Sequence, residues 1–247
     1  MDKLSIIIPT YNEKDNIKIL VKKIEDSVKD IEHEIIFVDD SNDGTDKEIK
    51  KEQKNNSNIV LNHRIDKKGL SSAVIDGIEI STGNIIAVMD ADLQHPPHLL
   101  KQMYEEIISG VDICIPSRFI KGGNDGGLNL YRKAVSATAR YIAKIFIPNL
   151  YKISDITSGI FCFRKDILDK NYKLNPIGWK IMLEVLCKSN YKIISEIPYR
   201  FDQRNACNSK MNKKVMLEYL KQIKILRKEK IKNNYKVIRR SDENEKN

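Results

Sequence analysis

The chain has 247 residues, 41% hydrophobic and 31% charged, which suits one large α/β domain with an ample core, or a domain plus a small appendage. No stretch approaches the ~18 consecutive apolar residues of a membrane span, and Met1-Asp2-Lys3-Leu4 lacks the layout of a signal peptide. The net charge of +9 lies wholly in the last fifth of the chain, where fifteen Lys/Arg face six Asp/Glu from Arg200 to Asn247, so a neutral body carries a basic tail.

In chain order, Leu4 to Ile8 reads as a buried strand stopped by Pro9. Asn12-Glu13-Lys14-Asp15 has the form of a capping box before a helix whose inner face is Ile17, Leu20, Val21, Ile24 and Val28. Glu34 to Val38 is the next strand and runs into Asp39-Asp40-Ser41-Asn42-Asp43-Gly44-Thr45. Next come a polar helix over Asp46–Asn55, a short strand at Ile59–Leu61 and a helix opened by Gly69 and lasting through Ile78. The strand Ile85–Met89 ends in Asp90-Ala91-Asp92-Leu93-Gln94-His95, and Pro96-Pro97 starts a helix carrying Leu99, Leu100, Met103 and Ile107.

Asp112–Pro116 leads into Ser117-Arg118-Phe119 and then Gly122 to Gly127, a glycine-rich loop that either moves over an active site or merely connects. A helix is expected over Tyr131–Leu150, a strand at Gly159–Phe163, a helix over Trp179–Cys187 and a strand at Ile193–Pro198. Val215–Ile231 has a basic amphipathic profile, suited to an anionic membrane interface or a partner helix. Cys114, Cys162, Cys187 and Cys207 show no C-x-x-C spacing and read as reduced thiols of a cytoplasmic protein.

Strand alternating with helix implies a mostly parallel, twisted sheet with helices on both faces, in which ligands bind beyond the carboxyl ends of the strands. Pro9-Thr10-Tyr11, Asp39-Asp40 and Asp90–Asp92 all fall at such ends. Two carboxylates directly off a buried strand require cations, because an unpaired ionised group in low dielectric is costly. A divalent metal carrying a phosphate-bearing ligand supplies them. His95 and His98 adjoin this motif, but hard cations favour oxygen, so both read as helix-start positions.

Ser5 to Glu13, Val38-Asp39-Asp40 with Asp43-Gly44-Thr45, and Asp90-Ala91-Asp92 together resemble the inverting family 2 glycosyltransferases. Met89 to Pro97, Ser117-Arg118-Phe119, Asp155 to Gly159, Arg204 and Ser209-Lys210 narrow the resemblance to polyprenyl-phosphate sugar transferases of the dolichol-phosphate mannosyltransferase subgroup. The likeness runs from about Leu4 to Lys210 and implies a Rossmann-like GT-A domain over 1–212, followed by a basic amphipathic helix and flexible tail over 213–247. It resembles the short form without transmembrane helices. The loop after Asp40 is one residue shorter than the family's, so either Asp39 or Asp40 takes the family's role, the count favouring Asp40.

The resemblance implies that Pro9, Tyr11, Glu13, Val38, Asp39, Asp40, Asp90 and Ala91 bind a nucleotide-sugar, GDP-mannose or else UDP-glucose or another hexose donor. Asp92 and Gln94 would ligate Mg²⁺ or Mn²⁺ beside the donor diphosphate, with Arg204 and Lys210 adding positive charge to the leaving group. Arg118 and Arg132 would hold the phosphate of a dolichyl or polyprenyl acceptor, Asp92 and both arginines being the catalytic set. The remaining expectations are peripheral attachment to the cytoplasmic face of a membrane, a membrane-protein subunit as a further partner, and no nucleic acid, because no RNA-binding motif is present. A catalytically dead binding module is the alternative from another class, and intact Asp90, Asp92 and Gln94 speak against it.

Overall fold

The computed structural model describes residues 2–66, 69–126, 130–168, 173–201, 213–228 and 234–240, with the side chains of 130–134 and 213–214 outside that description. One sheet holds eight strands: β1 (Leu4–Thr10), β2 (His33–Asp39), β3 (Ile59–His63), β4 (Ile85–Met89), β5 (Ile113–Ser117), β6 (Ile160–Arg164), β7 (Ile193–Pro198) and β8 (Lys236–Arg239), in the order β3-β2-β1-β4-β6-β5-β7-β8. Every neighbouring pair is parallel except those of β6, which runs antiparallel to β4 and β5. The expected mostly parallel α/β sheet is therefore present. The reversal at β6 follows from its long approach, since residues 118–159 carry the chain back so that β6 begins at the edge where β4 and β5 finish.

The helices are α1 (Ile17–Val28), α2 (Thr45–Asn55), α3 (Leu70–Ile80), α4 (Leu99–Ile108), α5 (Leu130–Phe146), α6 (Ile181–Lys188) and α7 (Lys213–Leu226). On α1 the apolar positions recur at helical spacing, and Ile17, Leu20, Val21, Ile24 and Val28 are all buried. The two sheet faces carry separate cores. One gathers Ile6, Ile8, Phe37 and Met89 with α1 and α4; the other gathers Ile7, Val88, Phe161 and Phe163 with α3, α5, α6 and α7. Strands buried on both sides explain the unbroken apolar runs Ile6–Ile8 and Ile85–Met89.

Several local expectations differ in the structure. β1 continues through Pro9 to Thr10, because Pro9 pairs with Val38 on one side while β4 pairs only as far as Ile7 on the other. Asn12-Glu13-Lys14-Asp15 is not a capping box: Asn12 is left-handed (φ +57°), its N–H donates to Ser41 Oγ at 2.7 Å, and α1 starts at Ile17. The helix over Tyr131–Leu150 breaks after Phe146 into a short 3₁₀ turn, Pro148–Leu150, where Pro148 cannot continue the α-helical ladder. His95 does not start a helix, since α4 begins at Leu99.

The basic tail is more integrated than its charge suggests. Tyr219, Ile223 and Leu226 of α7 are buried in the core of the second face, and β8 extends the sheet alongside β7. Cys114, Cys162 and Cys187 are buried thiols outside any disulfide, while Cys207 lies outside the described residues. Among the described residues, no helix is long and apolar enough to cross a membrane.

Candidate active site

Parallel strands align their carboxyl ends, so β1, β2, β4, β5 and β7 deliver Tyr11, Asp40, Asp90, Arg118 and Tyr199 to one edge, joined there by the residues leading into β6. At the β1–β2 end Asp39 is fully buried. It accepts from Thr10 Oγ1 at 2.7 Å and Ser41 Oγ at 2.5 Å, and its other oxygen lies 2.8 Å from His63 Nδ1, which ties three strand ends together. Asp40 takes a different partner. Arg64 donates to it from Nε at 2.8 Å and Nη2 at 2.6 Å, the Gly69 N–H adds a third bond at 3.0 Å, and Arg64 also reaches Asp76 at 3.2 Å.

Tyr11 stands 42% exposed beside this cluster. Glu13 is buried and accepts from Asn16 Nδ2 at 2.8 Å. The Val38 side chain packs inward with Ile36 and Ala73, so the side chain itself is not offered to a ligand. Pro9 lies between Val38 and the Tyr11 turn.

At the end of β4 the chain turns sharply through Leu93, which is left-handed (φ +60°), and the Gln94 N–H reaches back to Asp92 Oδ1 at 3.1 Å. Ala91, Asp92 and Gln94 are all buried. Asp90 Oδ2 lies 3.7 Å from His95 Nε2, and His95 Nδ1 lies 3.2 Å from the Tyr199 hydroxyl. His95 also meets the Phe201 ring edge-on at 5.2 Å. Gly159 closes this corner. A Cβ there would lie 2.2 Å from Asp90 Oδ2 and 2.9 Å from His95 Nε2, so only glycine lets the carboxylate approach the backbone.

Arg118, directly after β5, is held by the fully buried Asp155: Nε donates at 2.7 Å and Nη2 at 3.0 Å. Burial works against both charges, but their mutual attraction prevails, raising the guanidinium above its usual range and lowering the carboxyl below its own. Asp155 is braced in turn by Glu196 of β7, which accepts the N–H groups of Ser154 at 2.8 Å and Asp155 at 3.2 Å and meets Arg239 of β8 at 3.3 Å. Lys180, the N-cap of α6, donates to the Thr157 carbonyl at 2.5 Å and sits 4.1 Å from the Trp179 ring. Burial draws its pKa down to about 8 against the opposing pull of Asp90, and Asp155 and Asp92 act on it too.

Of the sequence-derived residues, Asp90, Ala91, Asp92, Gln94 and Arg118 converge on one half of the site, and Pro9, Tyr11, Glu13, Asp39 and Asp40 on the other. Arg132 belongs to the first turn of α5. Arg204 and Lys210 lie outside the described residues. The glycine-rich loop is pinned in its described part, because Asn124 exchanges backbone hydrogen bonds with Tyr199 and Phe201. Sequence reading missed Arg64, Lys180, His95 and Tyr199 as site residues and gave Asp155 no role. The signals were Asp155 within the Asp-Ile-Thr-Ser-Gly motif and His95 directly after Gln94.

Among the described residues no group of three His, Cys, Asp or Glu is gathered to hold a metal ion. Asp92 and Gln94 are nevertheless a fitting pair of oxygen donors for a hard cation that takes its other ligands from phosphate.

The family model for Glycosyl transferase family 2 matches residues 5–171. Two proteins named dolichol-phosphate mannosyltransferase are similar along most of the chain. That of Pyrococcus furiosus is 40% identical over 90% of this chain and 62% of its own length, so the chain spans under two thirds of that relative. That of Saccharomyces cerevisiae is 35% identical over 90% of this chain and 86% of its own. Among solved structures, glucosyl-3-phosphoglycerate synthase from Mycobacterium tuberculosis with phosphoglyceric acid superposes with TM-score 0.65 at 16% identity, covering 90% of this chain and 80% of that one. The same enzyme with Mn²⁺, UDP-glucose and phosphoglyceric acid gives 0.63 at 15% identity, with the same coverage. At such identity the likeness concerns the fold.

Proposed function

The chain belongs to glycosyl transferase family 2, and from that premise we propose that it transfers mannose from GDP-mannose to dolichyl or another polyprenyl phosphate. The observation that carries this reading is a pair of buried cations at this edge of the sheet. Arg118 is fixed by Asp155, and Lys180 donates to the carbonyl of Thr157, two residues further on. A hydroxyl acceptor needs a base to take its proton. A phosphate monoester, with a second pKa of about 6, is already an anion near neutral pH and needs cations that hold it in line.

In the proposed reaction Tyr11, Asp39 or Asp40, and Asp90 bind the nucleotide and sugar, with Pro9, Glu13, Val38 and Ala91 shaping the pocket around them. Arg118 and Arg132 orient the acceptor phosphate, and Arg matches its oxygens through two parallel N–H bonds. A phosphate oxygen forms the new bond to the anomeric carbon as the bond to the donor diphosphate breaks, its electron pair leaving with GDP. Direct displacement inverts the anomeric centre, so an α-linked donor gives a β-linked lipid-phosphate sugar. Asp92 and Gln94 would hold Mg²⁺ or Mn²⁺, whose contribution is Lewis-acid neutralisation of the departing diphosphate. Arg204 and Lys210 would add positive charge to the same group.

The names of the Pyrococcus and Saccharomyces relatives support mannose and dolichyl phosphate. The Mn²⁺ and UDP-glucose in the Mycobacterium structure support a divalent metal and make UDP-glucose the donor to test against GDP-mannose. The enzyme works on the cytoplasmic face of a membrane as a peripheral protein, with a membrane-protein subunit as a further partner. The deciding assay measures radiolabelled transfer with Mg²⁺, comparing the two donors with and without dolichyl phosphate. Lipid labelled from GDP-mannose alone is the expected result. Labelling from UDP-glucose instead keeps the mechanism and changes the product, and no labelled lipid from either donor overturns the reading.

A further inference from the structure

We propose that Arg239, on the last strand of the sheet, is a positioning residue for the acceptor half of the site: it holds the segment that presents Asp155 to Arg118. The proposal rests on Arg118 as an arginine for the acceptor phosphate. Arg239 belongs to the basic tail, yet its guanidinium turns back onto the sheet and the loop beside it.

Glu196 supplies the reason. In β7 it stands opposite Ile115 of β5 on one side and Arg239 of β8 on the other, and its side chain is wholly buried. An ionised carboxylate in such a place is costly unless donors surround it. One oxygen accepts the N–H groups of Ser154 at 2.8 Å and Asp155 at 3.2 Å, and the other accepts Arg239 Nε at 3.3 Å. Burial pushes the Glu196 carboxyl up, and these donors pull it back.

The same guanidinium also holds the segment directly, since Nη2 donates to the Lys152 carbonyl at 2.7 Å. Residues 152–155 are therefore gripped at both ends, at Lys152 by Arg239 and at Ser154 and Asp155 by the carboxylate that Arg239 faces. The neighbouring Arg240 fastens β8 in place. Its N–H donates to the Glu196 carbonyl at 2.9 Å, and its Nε meets Glu106 of α4 at 2.9 Å. The gripped segment ends in the carboxylate that takes Nε and Nη2 of Arg118.

A purely stabilising role is the lesser one here. The Arg239 side chain is 52% exposed, and a half-solvated ion pair contributes little to folding. Geometry is far more sensitive, because a positioned group displaced by about 1 Å commonly costs ~10² in rate. Arg239 acts on Arg118 through intervening groups, so a smaller loss is expected.

The test uses the full chain with Arg239→Met, Arg239→Lys and Glu196→Gln. Arg239→Met should raise the KM for polyprenyl phosphate about tenfold and leave the nucleotide-sugar KM within about twofold, at an unchanged thermal midpoint. Arg239→Lys keeps a cation beside Glu196 and should recover most of the loss. In the Glu196→Gln background the same change to Met should cost less, because the carboxylate it acts through is gone. A second readout needs no substrate: the Arg118 Nε–H resonance, assigned by its loss in Arg118→Lys, should shift in Arg239→Met and return towards wild type in Arg239→Lys. Should Arg239→Met fail to fold, Glu196→Gln alone must shift both the resonance and the acceptor KM. An unmoved resonance, an unchanged acceptor KM, equal rises for both substrates, or full additivity of the two changes would each overturn the proposal. If the resonance moves as expected but wild type labels no polyprenyl phosphate, the positioning of Arg118 stands and the lipid-phosphate reading of the site fails.

Discussion

Asp155 accepts from both Nε and Nη2 of Arg118, at 2.7 and 3.0 Å, from wholly buried ground. That grip fixes the plane of the guanidinium. It also makes Arg118 a poor candidate for an ordinary surface charge. Asp155→Asn should therefore act on the acceptor more than on the donor, raising the KM for polyprenyl phosphate and lowering kcat/KM by ~10² while the KM for nucleotide-sugar stays near its original value. Steady-state kinetics with each substrate varied in turn decides it. An unchanged acceptor KM would sink the assignment of Arg118.

The same pair sets a pH dependence. The Asp155 carboxyl is held below its usual value by Arg118 despite burial, so it contributes stability at neutral pH that is lost as pH falls from about 4 through the lowered value. Glu196 has the opposite sign. Burial raises its pKa, so its charged form weakens the fold at neutral pH, and that penalty lifts as pH falls through the raised value. Urea midpoints for wild type and Asp155→Asn should differ at pH 7 and converge towards pH 3. A gap that stays constant with pH would contradict the ionic origin of the difference.

Asp92→Ala removes one of the two proposed oxygen donors for the metal. The variant should remain folded, lose Mn²⁺ binding in the presence of GDP by titration calorimetry, and lose ~10² or more of its metal-dependent turnover. Normal activity would remove Asp92 and Gln94 from the centre of the site.

Gly159→Ala forces a methyl group to 2.2 Å from Asp90 Oδ2, so the carboxylate must move. Displacement of a positioned group by about 1 Å commonly lowers turnover ~10²-fold. The expected loss falls on kcat, with the circular dichroism spectrum and thermal midpoint close to wild type. Activity within twofold of wild type would mean that the position of Asp90 against Gly159 does not matter to the reaction.

Arg64 anchors the Asp40 carboxylate through two bonds inside the protein. Arg64→Met strips that carboxylate of its cation and leaves it the Gly69 N–H, and breaking one side of a buried pair costs about 3–5 kcal/mol. Chemical denaturation should show that loss. The double variant Arg64→Met/Asp40→Asn should recover part of it, and a failure to recover would show that the pairing contributes little.

Patterning along the chain was enough to specify the parallel α/β sheet and the edge on which chemistry gathers. Unbroken apolar runs such as Ile85–Met89 specify strands buried on both faces, and parallel strands necessarily bring the residues beyond their carboxyl ends to a common edge. Pro9, Asp39, Asp40 and Asp90 were legible for that reason, whereas Arg118 was named through the family resemblance. Which partner offsets each buried charge was settled in three dimensions. Arg118 finds Asp155 across 37 positions and His95 finds Tyr199 across 104, and neither pairing leaves a local pattern in the chain. The antiparallel β6, the strand β8 within the basic tail and the bond from Lys180 to the Thr157 carbonyl belong to the same class. Periodicity reports which face of an element is buried. Only the packed fold reports what that face meets.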